Sequence, residues 1–179
     1  QISIKQKAIA NGYLLVQTML WGLSFLVTKN LIATLPAAAY TALRFLIATL
    51  ALLPFYVGKL RSAMSPSFLR AALFLGALTG VSSALQTFGL LYTTVTNSAF
   101  ITGTTVLLVP LFEKLIFKKK LPGVLWLGCA AAFSGVAVLA GNASFSVNLG
   151  DIMTVLCAVG FSLQMIFTAR YAQRFSADT

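Results

Sequence analysis

An all-α integral membrane protein is the fold class that this sequence predicts, on three observations. Of 179 residues, 59% are hydrophobic and only 9% charged, and the mean hydropathy is +0.92. A soluble domain carries about 25% charged residues, because its surface has to face water. Lipid is therefore the expected solvent for most of this chain. The apolar residues also gather into six stretches of membrane-spanning length, and the basic residues recur at every second connection between them.

A spanning helix needs about 20 mostly apolar residues, each adding about 1.5 Å against a hydrocarbon core of about 30 Å. Stretches of that kind are predicted at residues 10–31, 37–57, 69–91, 97–117, 123–141 and 150–171. The first follows Lys5 and Lys7, a pattern shared with signal peptides, but five further spans follow and a retained helix is expected. It ends before the turn at Leu35-Pro36. The second holds Arg44, roughly 10 Å inside its edge at about 1.5 Å per residue. The third opens after Ser65-Pro66-Ser67. The fourth contains Gly103 and Pro110, and Pro110 removes one helix hydrogen bond and is expected to permit a bend there. Lys118-Lys119-Lys120 and Leu121-Pro122-Gly123 separate it from the fifth, whose Gly128, Ala131, Ala132 and Gly135 make a small-residue seam suited to a scaffold or a homodimer. After Gly141-Asn142-Ala143, Gly150-Asp151 opens the sixth, with the carboxylate placed where a helix N-terminus favours negative charge.

The basic side chains set the orientation. Lys5, Lys7, Lys59, Arg61, Arg70, Lys114, Lys118, Lys119, Lys120, Arg170 and Arg174 fall on one side, whereas the other side has only Lys29 near its edge. Basic residues stay on the cytoplasmic side, so both chain ends are expected in the cytoplasm. The same distribution accounts for the net charge of +10 through topology and contact with anionic lipid, with no nucleic acid required.

Function classes narrow in the same way. With no His in the chain, His-based metal sites, haem ligation through His and Ser-His or Cys-His catalysis are excluded. Cys129 and Cys157 lie in apolar runs and read as packing residues rather than a disulfide or metal framework. No cofactor is expected. An intramembrane enzyme would need a nucleophile and base or a metal set, and no carboxylate lies at mid-membrane.

Polar residues at membrane depth mark packing seams or a water-filled path. In the third span Thr79, Ser82, Ser83 and Gln86 fall at i, i+3, i+4 and i+7, one helix face. They read either as a cavity wall, with Gln86 as a two-way hydrogen-bonding group, or as a tight helix seam. In the fourth, Asn97, Ser98, Thr102 and Thr105 read as a ligand-lining stretch or as a tolerated kink. In the first, Gln17, Trp21, Ser24 and Thr28 form a stripe, and a shift of 140 residues aligns it with Cys157, Phe161, Gln164 and Thr168. Opposite chain directions make that pairing the expected mark of an inverted five-helix repeat. Arg44 would either attract a carboxylate or bond to helix-end carbonyls. Glu113 is either interfacial or a proton-coupling carboxylate whose pKa burial would raise.

A series of motifs runs along the whole chain: Leu20-Trp21-Gly22-Leu23-Ser24-Phe25 with Lys29, Pro36 and Arg44-Phe45, and the run from Phe88-Gly89 through Tyr92-Thr93-Thr94 to Asn97-Ser98-Ala99-Phe100. Val109-Pro110-Leu111, Gly128, Ser134-Gly135-Val136 and Gly150-Asp151 extend it. In their order and spacing the chain resembles the EamA branch of the drug/metabolite transporter superfamily. The resemblance implies ten helices, as two inverted five-helix repeats around a central cavity. Residues 1–9 would then be a cytoplasmic segment and 10–141 the first repeat. Residues 150–171 would be the first helix of a second, truncated repeat, and 172–179 a cytoplasmic tail or loop. Gln1 is not a natural start residue and Thr179 follows closely on a span, so cut ends and four missing helices are expected. Lys118-Lys119-Lys120 departs from the Gly-Glu-Arg type of turn common in that family.

The implied function is secondary transport, mostly export, of small polar or zwitterionic metabolites such as amino acids, by alternating access across a bacterial cytoplasmic (inner) membrane. The substrate-lining set would be the stripes of the first, third, fourth and sixth spans, Gln164 and Thr168 included. A non-transporting scaffold or assembly partner is the rival reading.

Overall fold

The computed structural model describes residues 4–63, 65–139 and 148–176, and among these the chain is helical apart from its turns. The helices are α1 (Ile4–Leu31), α2 (Ala37–Ala63), α3 (Pro66–Tyr92), α4 (Val95–Gly103), α5 (Thr105–Phe117), α6 (Gly123–Leu139) and α7 (Leu149–Ser176). By length and hydropathy five rods are able to cross a bilayer: Ala8–Leu31, Ala37–Gly58, Pro66–Tyr92, Val95–Phe117 and Leu149–Phe175. Gly123–Gly135 is a shorter apolar helix. Each of the six predicted spans is therefore helical over its described residues, the last two of the fifth (140–141) lying outside them, and α1, α2 and α7 run several residues past the predicted ends on the lysine-rich side. An all-α membrane protein is the observed class.

Local chemistry explains the helix starts. Ser65 caps α3, its Oγ accepting from the Phe68 N–H at 3.2 Å, and Pro66 fills the first turn, where its missing N–H costs nothing. Thr94 caps α4 by accepting from the Asn97 N–H at 3.1 Å. At α7, Asn148 and Asp151 cap each other: Asp151 N–H donates to Asn148 Oδ1 at 2.9 Å, and Asn148 N–H to Asp151 Oδ2 at 3.4 Å. The acid expected at this helix start is thus part of a reciprocal cap.

The fourth rod is broken. The interruption falls at Thr104, whereas the bend was expected at Pro110, which stays inside α5. At Thr104 the backbone N–H and Oγ1 both turn to the Ile101 carbonyl, at 3.1 and 2.6 Å, in place of the i−4 bond. A threonine hydroxyl competing for backbone groups, next to Gly103, is enough to stop a helix. Pro110 leaves the carbonyl of Val106, four residues earlier, without its helix donor. Cys129 Sγ on α6 donates to that carbonyl at 3.3 Å. The cysteine is more than a packing residue: it satisfies the group that the proline frees.

The centre of the structure is α7 against α3, with α4 and α5 also packed on α7. Small side chains on α7 make this possible. Gly150, Thr154, Ala158 and Ser162 recur every fourth residue and are buried, the spacing that lets helix backbones approach in lipid. A Cβ on Gly150 would stand 2.8 Å from the Thr93 nitrogen, and one on Gly160 would collide with Ser82 Oγ. The sequence reading sought a small-residue seam on the fifth span. Here Gly128, Ala131, Ala132 and Gly135 of α6 are exposed, and the close seam belongs to α7. A second cluster joins Phe25, Ile32, Ala37 and Leu90, with Trp21, Tyr40, Phe88 and Val95 packed on it. Elsewhere large apolar side chains point outward, Tyr13 at 73% exposure and Phe55 at 77% among them. Such a surface is stable only against hydrocarbon.

Candidate functional site: a cleft beside a broken helix

Two hollows adjoin along the broken rod and share Thr18 and Thr105. One, of about 330 Å³, lies between Thr18, Trp21, Gly22 and Phe25 of α1 and Val95, Ala99, Thr102, Gly103 and Thr105 of the fourth rod. The other, of about 580 Å³, runs on past Val106, Val109 and Pro110 to Glu113, with Leu125 and Cys129 of α6 and Met165 of α7. The break at Thr104 therefore sits on the cleft wall. Apolar walls with a few hydroxyls are what a small-molecule site needs.

Of the residues singled out from sequence, Trp21, Thr102, Thr105 and Glu113 reach this cleft. Gln86 stands behind it: buried on α3, its Nε2 donates to Thr102 Oγ1 at 3.3 Å. Asn97 and Ser98 are buried on α4, and Ser98 Oγ has no hydrogen-bond partner among the described residues. Trp21 also meets Phe161 of α7 edge-on, with ring centres 5.6 Å apart. Glu113 is held by Lys119, whose Nζ donates to both carboxylate oxygens at 2.9 and 3.1 Å.

The other residues lie elsewhere. Gln17 is exposed. Ser24 donates to the Trp21 carbonyl at 2.6 Å, and Thr28 is bonded to the Tyr40 hydroxyl at 2.8 Å. Thr79 donates to the Leu75 carbonyl on its own helix, and Ser82 donates to that of Leu78 and packs under Gly160. Ser83 is buried on α3. Gln164 Nε2 donates to Thr168 Oγ1 at 3.1 Å within α7. Arg44 is half-buried on α2, with no hydrogen bond or ion pair among the described residues.

Two features escaped the sequence reading. Thr18 lines both hollows, and the cleft face of α1 is Thr18, Trp21, Gly22 and Phe25. That set has the spacing i, i+3, i+4 and i+7, so the period was legible but its phase was off by one residue. The second is a polar knot at the lysine-poor end. Lys29 Nζ donates to the carbonyls of Leu90 and, at 2.9 Å, Thr93. Thr93 Oγ1 in turn donates to Asp151 Oδ1 at 2.5 Å. The knot ties α1 and α7 to the end of α3, where orphan carbonyls attract a cation. Its signal in the sequence was the solitary lysine on that side.

The fold so defined is a multi-pass helical membrane protein with a cleft beside an interrupted helix. Residues 8–141 match the model of the EamA-like transporter family, and the chain belongs to that family. It is 31% identical over 178 residues to a protein of the archaeon Archaeoglobus fulgidus described as an uncharacterized transporter. That match covers 95% of this chain and 54% of the archaeal protein, so the chain spans about half the length of that relative. No solved structure matches it.

Proposed function

We propose that the protein works as a secondary transporter of small polar or zwitterionic metabolites such as amino acids, exporting them by alternating access. It would do so in a bacterial cytoplasmic membrane, with its N-terminus in the cytoplasm. The observation that carries this reading is the break at Thr104 on the wall of a cleft that Trp21 and three threonines line. Broken helices border the solute sites of many transporters, because backbone groups freed there are tolerated only where a cavity meets them. The lining hydroxyls bind without net charge and Glu113 is already paired with Lys119, which suits a neutral or zwitterionic solute, and Trp21 offers an apolar wall. Family membership and the one-sided distribution of basic residues support the same reading.

The inverted repeat is part of this proposal. Trp21 and Phe161 hold equivalent positions in the 140-residue shift, and their rings touch. Equivalent residues meet where a two-fold axis passes, which supports an axis beside the cleft. The chain would then supply the first repeat and one helix of the second, with four helices contributed by sequence outside it. The rival reading, a scaffold or assembly partner, has its own support in the exposed small-residue face of α6, which suits a homodimer contact.

The test is transport by the reconstituted protein in liposomes, against a panel of labelled amino acids and small metabolites. Export of one class supports the proposal, and a panel that stays put removes the solute assignment. Gln86→Ala should lower kcat/KM for the transported solute about tenfold, the size of one hydrogen bond, because Thr102 loses its partner. Unchanged kinetics in the folded variant would assign Gln86 to packing.

A further inference from the structure

The last turns of α5 and the connection to α6 together carry four lysines and one carboxylate. Glu113 is the acidic residue of this region, and Lys119 already holds it at 2.9 Å. Lys114, Lys118 and Lys120 remain, each exposed, with no ion pair to a described carboxylate. They do not simply radiate into solvent. With Lys119, Leu121 and Trp126 they line a hollow of about 400 Å³. Lys114 Nζ stands over the Trp126 ring, 5.7 Å from its centre, and the ring forms one wall of the hollow.

Lys118 adds a second, independent observation. It ends α5 in the left-handed conformation, with φ at 51°, and is the described non-glycine residue with positive φ. Helices usually place Gly at that position, because a side chain there is strained. A lysine costs stability in exchange for a charge beside the hollow. The surroundings finish the site. Leu115, Ile116, Val124 and Leu127, on the helices flanking the turn, are between 53% and 72% exposed. An uncompensated basic hollow with a tryptophan wall, above an apolar surface that faces lipid, matches an anionic phospholipid: a phosphate for the lysines and acyl chains for the flanks.

We propose that this turn is a binding site for the phosphate of an anionic membrane phospholipid, with Lys114, Lys118 and Lys120 as its cations and Trp126 as its wall. The apolar flanks favour a lipid over a free phosphate ion, which would leave them unused. The hollow shares no lining residue with the cleft, although the Lys119–Glu113 pair stands between them, and it does not depend on what the protein transports.

Tryptophan fluorescence tests it, since the chain has two tryptophans, Trp21 and Trp126. In a Trp21→Phe background, reconstituted into bilayers, Trp126 reports alone. Brominated phosphatidylglycerol should quench it with about tenfold preference over brominated phosphatidylcholine at equal mole fraction, as expected for a few lysines at an anionic surface. The Lys114→Gln/Lys118→Gln/Lys120→Gln variant should lose the preference while phosphatidylcholine quenches it as before, which shows that the helix is still inserted. Equal quenching by the two lipids, or a preference that survives in the triple variant, overturns the site. Millimolar inorganic phosphate should leave the preference intact, and its loss would overturn the assignment to lipid in favour of a soluble anion.

Discussion

Lys29 shows how much one side chain joins in this protein. Its ammonium group reaches from the end of α1 to two carbonyls at the end of α3, and one of them belongs to Thr93, whose hydroxyl holds Asp151 of α7. A helix end in lipid has no water to satisfy its last carbonyls, so a neighbouring cation takes that role. Lys29→Met should destabilise the protein by about 1.5–3 kcal/mol, the range for hydrogen bonds that involve a charge. Lys29→Arg should restore part of the loss. Unfolding midpoints in detergent titrated with a denaturant would check both, and a Met variant as stable as the parent would remove the knot's structural role. Gln86 shows the other side of residue-scale reading. Its size marked it out in the sequence, and the structure gives it a partner at the cleft wall. Ser82 and Thr79 shared its stripe, but each donates to its own helix, because a hydroxyl in an apolar setting finds its nearest carbonyl first.

Among elements, the broken fourth rod is the most informative. Its proline was legible, but its break was not, since the break depends on where the Thr104 hydroxyl turns. Pro110 instead creates a demand that α6 meets, through the Cys129 bond to the Val106 carbonyl. The two residues should therefore be coupled. Cys129→Val alone should cost about 1 kcal/mol, the desolvation of one carbonyl left unpaired. In a Pro110→Ala background, where the helix supplies its own N–H, the same change should cost much less. A double-mutant cycle measured by unfolding isolates that difference, and additive effects would separate the cysteine from the proline. The α3–α7 seam is the other element-scale result. Stripes of small residues were visible on several helices, yet which one closes depends on the partner face. On α7, Gly150 and Thr154 meet Gly89 of α3 and Gly150 also meets Thr93, which caps α3, while Gly160 meets Ser82, so the face is filled; on α6 the stripe stays open.

For the whole molecule, α7 decides the packing. It is the most buried of the spanning rods, and α3, α4 and α5 all rest on it. A chain ending before α7 should lose its cooperative unfolding in detergent, because the buried face of α3 would then have no partner; a truncated form that still unfolds sharply would argue against this. Orientation belongs to this scale too. A single cysteine at position 119, in a background without Cys129 and Cys157, should react with an impermeant maleimide only after the membrane is opened. Labelling of intact cells would reverse the proposed topology and place the lysine turn outside.

The order and approximate ends of the apolar helices, the family, and the charge asymmetry are written in the sequence by itself, whereas the fifth predicted span is a shorter apolar helix beside five of spanning length. A bilayer selects helices one segment at a time by length and hydropathy, and both are local properties. The meeting of faces is not local. Hydrocarbon cannot distinguish a lipid-facing leucine from a buried one, and a serine or threonine is satisfied by its own helix in either place. Polarity therefore pointed to α1 and the fourth rod, which line the cleft, but also to α3, which stands behind it; it passed over the apolar lining of α6 and missed the phase of α1 by one residue. Only the tertiary structure decided that Thr18 faces the hollows and Gln17 does not, that the seam runs along α7, and that Lys29 closes the end of α3. Each depends on shape fitting between helices, and that fit exists only once the helices are packed together.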